Sequence, residues 1–173
     1  ASPSVCTEFV EFLTIPGGSY EMGFYAAQFS VDSGGNSTAV STFLLSKNEV
    51  TIGQYRLCVD AGVCEVPNTN AASAGWPDEP CLWTDTPADK ENHPINCVSW
   101  FQAKTFTTFA GARLPTDAEW EYAARSRGKA HIYAWGNDDA TDCVGNIAGC
   151  GDVLTPVCSF EGDRTEQGLC DMS

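Results

Sequence analysis

Nine cysteines, two histidines and a cluster of carboxylates are the side chains of this 173-residue sequence with the most chemistry to offer. The cysteines stand at positions 6, 58, 64, 81, 97, 143, 150, 158 and 170, and no two are spaced C-x-x-C. That spacing argues against a structural zinc site or a thioredoxin-like dithiol. It argues for disulfides formed in an oxidising compartment. Pairing near neighbours gives Cys58–Cys64, Cys81–Cys97, Cys143–Cys150 and Cys158–Cys170 and leaves Cys6 over, although spacing does not prove that connectivity. An odd cysteine predicts a free thiol or a bond to another polypeptide.

The two histidines are His93 and His131. A catalytic triad needs one of them beside a nucleophile, with a carboxylate to orient it. His131 falls in a loop, and both read as structural or exposed. Asp138, Asp139 and Asp142 precede a Gly-rich run that ends at Gly151. Calcium takes six to eight oxygens, and loop carbonyls beside carboxylates can supply them. EF-hand spacing is absent, so the plainer reading is a turn with a solvated acidic rim. Trp76, Trp83 and Trp100 could line a ligand cleft, but Trp100 sits at helical spacing and is expected in the core.

Positioning these groups requires several short elements. Residues 9–15 and 19–24 read as strands split by Pro16-Gly17-Gly18. Residues 30–38 read as a loop and 42–46 as a strand. Thr51 caps a helix over 52–61 that buries Ile52, Tyr55, Cys58 and Val59. Residues 65–94 carry little periodicity, and the cysteines around them offer order that packing does not. Ser99 with Gln102 forms a capping box for a helix over 99–110, whose face is Trp100, Ala103, Phe106 and Ala110. Thr116 with Glu119 forms another, opening a helix over 116–127. There Trp120, Ala123 and Ala124 share the core face, Arg125 and Arg127 occupy the last turn, and Gly128 is the C′ residue. Beyond Trp135 the chain is loop-like until a short strand near 155–160. With no repeat and no linker, residues 1–173 are expected to form a single α+β domain.

Several of these segments also resemble a known family. The run Arg113-Leu114-Pro115-Thr116-Asp117-Ala118-Glu119-Trp120-Glu121-Tyr122-Ala123-Ala124-Arg125, followed by Tyr133-Ala134-Trp135-Gly136-Asn137, is similar to the formylglycine-generating enzyme (sulfatase-modifying factor) domain. The stretch from Phe12 to Gly23 resembles that domain's opening strand and turn, and Glu49-Val50-Thr51-Ile52-Gly53-Gln54-Tyr55 its "E-V-T-x-x-Q-Y" segment. His93-Pro94-Ile95-Asn96-Cys97-Val98-Ser99-Trp100 resembles its "H-P-V-x-x-V-S-W" block. Thr155-Pro156-Val157 and Gly168-Leu169-Cys170-Asp171-Met172 are similar to two later blocks. The resemblance implies a C-type-lectin-like fold with much irregular backbone. It also implies calcium held by the Asn146 side chain, the Ile147 carbonyl and an acidic side chain further on, here Asp152.

In the family the last block runs on into further sequence that carries a second calcium site and a copper-binding, oxygen-activating cysteine pair. This sequence stops at Ser173, so the resemblance implies a domain incomplete at its C-terminus. No catalytic residue is assigned, and Cys158 and Cys170 are expected to bridge each other rather than stand in for the reactive pair. The family's non-haem iron relatives carry their histidine ligands on an added helical domain, which two histidines do not replace. The expected function is a secreted, calcium-supported binding or structural module. The alternative is a copper- and oxygen-dependent oxidase that converts a substrate cysteine to formylglycine, its reactive cysteines lying on a missing part or second chain.

Bulk composition narrows the partners. A net charge of −14 with nine Lys and Arg argues against nucleic acid or an anionic membrane. No apolar run approaches the length of a membrane span. The expected partners are a second chain or fragment completing the domain, joined through Cys6, and a protein or glycan ligand. The expected location is secreted, periplasmic or cell-surface. Asn36-Ser37-Thr38 is a glycosylation sequon where such machinery exists.

Overall fold

A computed structural model describes residues 9–23, 36–67, 81–138, 144–146 and 154–172. Among these residues are four strands and three helices: β1 (Phe12–Ile15), β2 (Gly18–Met22), β3 (Asn36–Val40), β4 (Phe43–Ser46), α1 (Ile52–Asp60), α2 (Trp100–Phe109) and α3 (Asp117–Ala124). The other described residues are irregular, in keeping with an α+β protein of few regular elements. The chain gathers into two compact units.

One unit is built on Glu49–Leu114 with Leu154–Val157. Thr51 caps α1: its hydroxyl accepts from the Gln54 amide while its own amide donates to the Gln54 side chain. The next amides of the first turn donate to the carbonyls of His93 and Glu91, each at 2.9 Å. The helix start is thus tied to the irregular segment that precedes α2. Tyr55 stacks on Phe106 of α2, and Ile52, Cys58, Leu82 and Trp83 are buried in the same unit. Arg56 is also buried. Its guanidinium makes two bonds to Glu91, a third to the Thr84 carbonyl, and lies 4.3 Å over the Trp83 ring. Disulfides Cys58–Cys64 and Cys81–Cys97 close this unit's loops.

The other unit is built on Phe12–Asn48, Pro115–Val153 and Cys158–Ser173. Two antiparallel pairs, β1 with β4 and β2 with β3, form around the Pro16-Gly17 turn. Gly17 is required there, since a Cβ would lie 2.6 Å from the Val40 carbonyl oxygen. Ile15, Tyr20, Val40, Tyr122, Ala123 and Leu169 make the core. Disulfide Cys158–Cys170 holds the last segment.

Four expectations are corrected. Residues 36–38 are not loop but the start of β3, paired with Met22 through Tyr20. No strand forms near 155–160: Cys158 has φ 58°, and its amide donates to the Asp171 carboxylate instead of a ladder. Helix α3 stops at Ala124 rather than 127, because Ser126, Arg127 and Gly128 all take positive φ, so Arg125 and Arg127 lie beyond its last turn. Trp120 and Trp100, both expected in the core, are 49% and 58% exposed. On α3 the buried face runs through Ala118, Tyr122, Ala123 and Ala124, so the two alanines lie inward as expected and Tyr122 takes the place expected of Trp120. On α2, Phe106 and Ala110 are buried while Trp100 lies outside beneath the Lys104 ammonium.

Candidate functional site

Helix α3 and the turn that follows it border a concavity. The helix begins on a capping box in which the Thr116 hydroxyl accepts from the Glu119 amide and Glu119 accepts from the Thr116 amide. It is then fixed to β2 from both ends. Tyr20 donates to the Ala118 carbonyl, Tyr122 donates to the Pro16 carbonyl, and Arg125 donates to the Glu21 carbonyl. The Gly23 amide donates to the Glu121 carboxylate at 2.9 Å. The left-handed turn at 126–128 reverses the chain closely against Tyr20. A Cβ on Gly128 would lie 2.2 Å from the Tyr20 Cβ, and φ is +73°, so only glycine fits.

The following turn is built by local hydrogen bonds. Tyr133 and Gly136 exchange backbone bonds of 2.9 and 3.1 Å. The Asn137 side chain accepts from the Ile132 amide and donates to the Ala130 carbonyl. Tyr133 and Trp135 stack with centroids 4.7 Å apart, and the Trp135 indole donates to the Asp138 carbonyl. Tyr133, Trp135, Gly136 and Asn137 of this Tyr-Ala-Trp-Gly-Asn run therefore each have a structural task.

Between helix and turn lies a cavity of about 320 Å³ whose walls include Trp120, Glu121, Arg125, His131, Tyr133 and Met172. Its two charged groups are already committed. Glu121 accepts from Arg125 at 2.6 Å as well as from Gly23, and Arg125 also donates to the Lys129 carbonyl. Such a charge-assisted pair holds geometry. His131 differs: its Nδ1 is buried without a hydrogen-bond partner. Under the helix, Tyr20 is pushed up to about 12 by burial, with the Glu121 charge adding and the Arg125 charge opposing.

The expected site residues are brought together only in part. Cys58–Cys64, Cys81–Cys97 and Cys158–Cys170 are bridged as paired in sequence, while Cys143, Cys150 and Cys6 lie outside the described residues. Of the expected calcium ligands only Asn146 is described, exposed beside buried Gly145; Ile147 and Asp152 lie outside the described residues. Copper held by thiolates does not fit the described residues, because every cysteine among them is in a disulfide. No group of three His, Cys, Asp or Glu side chains there is arranged to hold a metal, and no described helix is long and apolar enough to cross a membrane. Trp83 is buried under Arg56, and Trp76 lies outside the described residues. The α3 cavity was not anticipated. Its one signal in sequence is the large, otherwise unexplained Trp120, two residues before the buried Tyr122.

Comparison with known proteins agrees with this architecture. Residues 2–173 match the sulfatase-modifying factor enzyme 1-like domain. The formylglycine-generating enzyme of Thermomonospora curvata is 31% identical over 159 residues, covering 73% of this chain and 52% of that protein. A hercynine oxygenase of Mycobacterium tuberculosis is 41% identical over 68 residues, covering 38% of this chain and 15% of that one. The chain thus spans about half the length of the first relative or less. Among solved structures, that of CarF superposes with a TM-score of 0.64 at 21% identity, covering 95% of this chain and 77% of that chain, which shows a shared fold. With nearly every residue inside the matched span, this chain belongs to the sulfatase-modifying factor enzyme 1-like family.

Proposed function

We propose that this chain is the disulfide-locked framework of a formylglycine-generating-enzyme-type protein, acting in these residues as a binding or structural module. The observation that carries the reading is the state of its sulfur: all six described cysteines are in disulfides. A thiol-based oxidation needs a thiolate free to react. The framework is of a kind exported to an oxidising compartment, secreted, periplasmic or at the cell surface. Calcium at Asn146, Ile147 and Asp152 would brace the Gly-rich loop, and the partner is a protein or glycan.

The second reading is the oxidase, favoured by the name of the relative that matches 73% of this chain. In that reading the reactive cysteines and the copper they bind lie on polypeptide beyond these residues or on a second chain held through Cys6. Copper would supply oxygen activation there, and the present residues would hold the substrate-bearing framework in place.

One assay separates the readings when it is run in parallel on this chain and on the longest product of its native source, where the oxidase reading places the reactive cysteines. The purified chain is incubated in air with Cu(I) and a cysteine-containing sulfatase-type peptide, and the peptide is probed for aldehyde with a hydrazide. The framework reading expects no aldehyde above the peptide alone. Labelled peptide would overturn it in favour of the oxidase. A melting temperature that rises with calcium and falls back with EDTA is the expected sign of the ion. An unchanged melt would remove calcium from the proposal.

A further inference from the structure

We propose that the Cys81–Cys97 disulfide is a thiol-exchange site, opened by a dithiol reductant while the fold around it stays closed. The proposal goes beyond the framework reading, which counts this bridge only among its locks.

The sulfurs of the three described bridges are not equally open to attack. Cys58 and Cys64 are both buried, and so is Cys170. Cys81 and Cys97 are both only half-buried, and residues 84–90 between them are exposed. Among the described bridges this is the one with neither end in the core. Exchange needs access to one sulfur and a partner sulfur that leaves readily as thiolate. At Cys158–Cys170 the half-buried Cys158 is within reach, but Cys170 would have to leave into the core beside Leu169. Burial disfavours a thiolate there. The Asp171 carboxylate, which accepts from the Cys158 amide at 2.7 Å, also sets a negative charge against an incoming thiolate.

At Cys81–Cys97 the leaving group is favoured instead. Cys97 stands two residues before Ser99, the cap of α2, and the positive end of a helix stabilises a nearby thiolate. Cys97 also has φ 59°, a strained conformation for a residue with a side chain, and strained or exposed bridges are the labile ones. Cys158 shares that strain, with φ 58°, so access and leaving group decide between the two.

The segment between Cys81 and Cys97 has other anchors. The Leu82 amide donates to the Asn96 side chain at 2.9 Å, next to the bridge. The Ile95 amide donates to the Val50 carbonyl, and the Val157 amide to the Asn92 carbonyl. The first amides of α1 donate to the His93 and Glu91 carbonyls, and Arg56 holds Glu91 and the Thr84 carbonyl. Opening the bridge therefore frees a pair of thiols without releasing the segment.

The exchange balances with a dithiol alone. One thiolate of the reductant attacks Cys81 Sγ, the Cys81–Cys97 bond breaks, and its electron pair leaves on Cys97. The reductant's second thiolate attacks its own sulfur in the mixed disulfide and releases Cys81. The reductant departs as a disulfide, and the two cysteines take up protons from water.

The test treats the protein, purified without reductant, with dithiothreitol under native conditions. Samples are quenched with iodoacetamide over time and the alkylated cysteines are mapped by mass spectrometry, with circular dichroism followed in parallel. Cys81 and Cys97 should be alkylated together, at least about tenfold faster than the other four described cysteines, while the dichroism is unchanged. Alkylation of all six with loss of the dichroism would overturn the proposal, since the bridge would open only on unfolding. So would earlier alkylation of Cys158 and Cys170 or of Cys58 and Cys64, or no alkylation of Cys81 and Cys97. The combined variant Cys81→Ser with Cys97→Ser should still melt cooperatively. A melt without a cooperative transition would show that the bridge holds the fold, and would also overturn the proposal. An aldehyde result of either sign leaves the order of alkylation untouched, so this proposal and the framework reading fail separately.

Discussion

Arg56 shows how one charged side chain organises an irregular region. Its guanidinium has all its bonds directed at residues 84 and 91, which lie in no helix or strand. A buried guanidinium is tolerated only when fully partnered, so the pair fixes where those loops go. The hydrogen bonds from Arg56 hold the Glu91 carboxyl below its ordinary value of 4.5. A depressed carboxyl contributes stability that is present above its unfolded value and lost as pH falls through the folded one. Glu91→Gln should therefore cost about 2 kcal/mol near neutrality. Melting curves of parent and variant should converge as pH drops below 4.5. Tyr20 works in the opposite direction. Its folded value, about 12, lies above the ordinary 10.0 because burial disfavours the phenolate. Its contribution is complete below pH 10 and disappears as pH rises toward 12. The gap in melting temperature between parent and Tyr20→Phe should accordingly be constant from neutrality to pH 9 and narrow above pH 10. A gap that stays constant to pH 12 would show that the phenol is not held neutral by the fold.

At the scale of the element, the helix starts were legible, and the helix faces were legible on α1, where Ile52, Tyr55 and Cys58 are buried, but not at the two tryptophans of α2 and α3. Thr51 with Gln54, Ser99 with Gln102 and Thr116 with Glu119 each form the reciprocal capping box expected from residues three apart. Such chemistry is local, so the sequence contains it whole. Which side of α3 is buried depends instead on Tyr20 and Leu169, distant in sequence, and the Trp at position 120 outweighed them in a periodicity argument. The helix's end was misplaced for a related reason. Gly128 is indeed left-handed, but so are Ser126 and Arg127, because the chain must turn tightly against Tyr20. The α3 cavity was invisible because it needs that turn and the Tyr133–Gly136 bridge together. Thr116→Ala removes the side-chain acceptor of the α3 box and should destabilise by about 1 kcal/mol, read as a shift in the urea midpoint without a change in slope. Thr116→Ser, which keeps the acceptor, should recover most of it. Failure of serine to rescue would mean that the threonine methyl, not the cap, matters.

For the molecule as a whole, disulfides replace much of what a larger set of regular elements would do. Each of the three described bridges joins near neighbours, so spacing anticipated them, and each has at least one end in irregular backbone. They should not be equivalent. Chain-entropy loss depends only weakly on loop length, about 0.6 kcal/mol per doubling. Cys58–Cys64 spans 6 residues and Cys158–Cys170 spans 12, so entropy alone separates them by about that amount. Their surroundings differ more. Cys58–Cys64 closes the end of α1, where backbone bonds from Val63 and Cys64 to the Cys58 carbonyl already hold the turn. Cys158–Cys170 instead holds the segment that carries Leu169, fully buried in the core, and Thr165, whose hydroxyl accepts from the Leu169 amide. Releasing it exposes core as well as loosening a loop. Replacing Cys158 and Cys170 together by alanine should therefore destabilise by about 3 kcal/mol or more, and replacing Cys58 and Cys64 by clearly less. Denaturant midpoints of the two double variants measure the difference directly. If they fall within about 0.6 kcal/mol of each other, loop entropy is the whole effect and the last segment is not what closes the core.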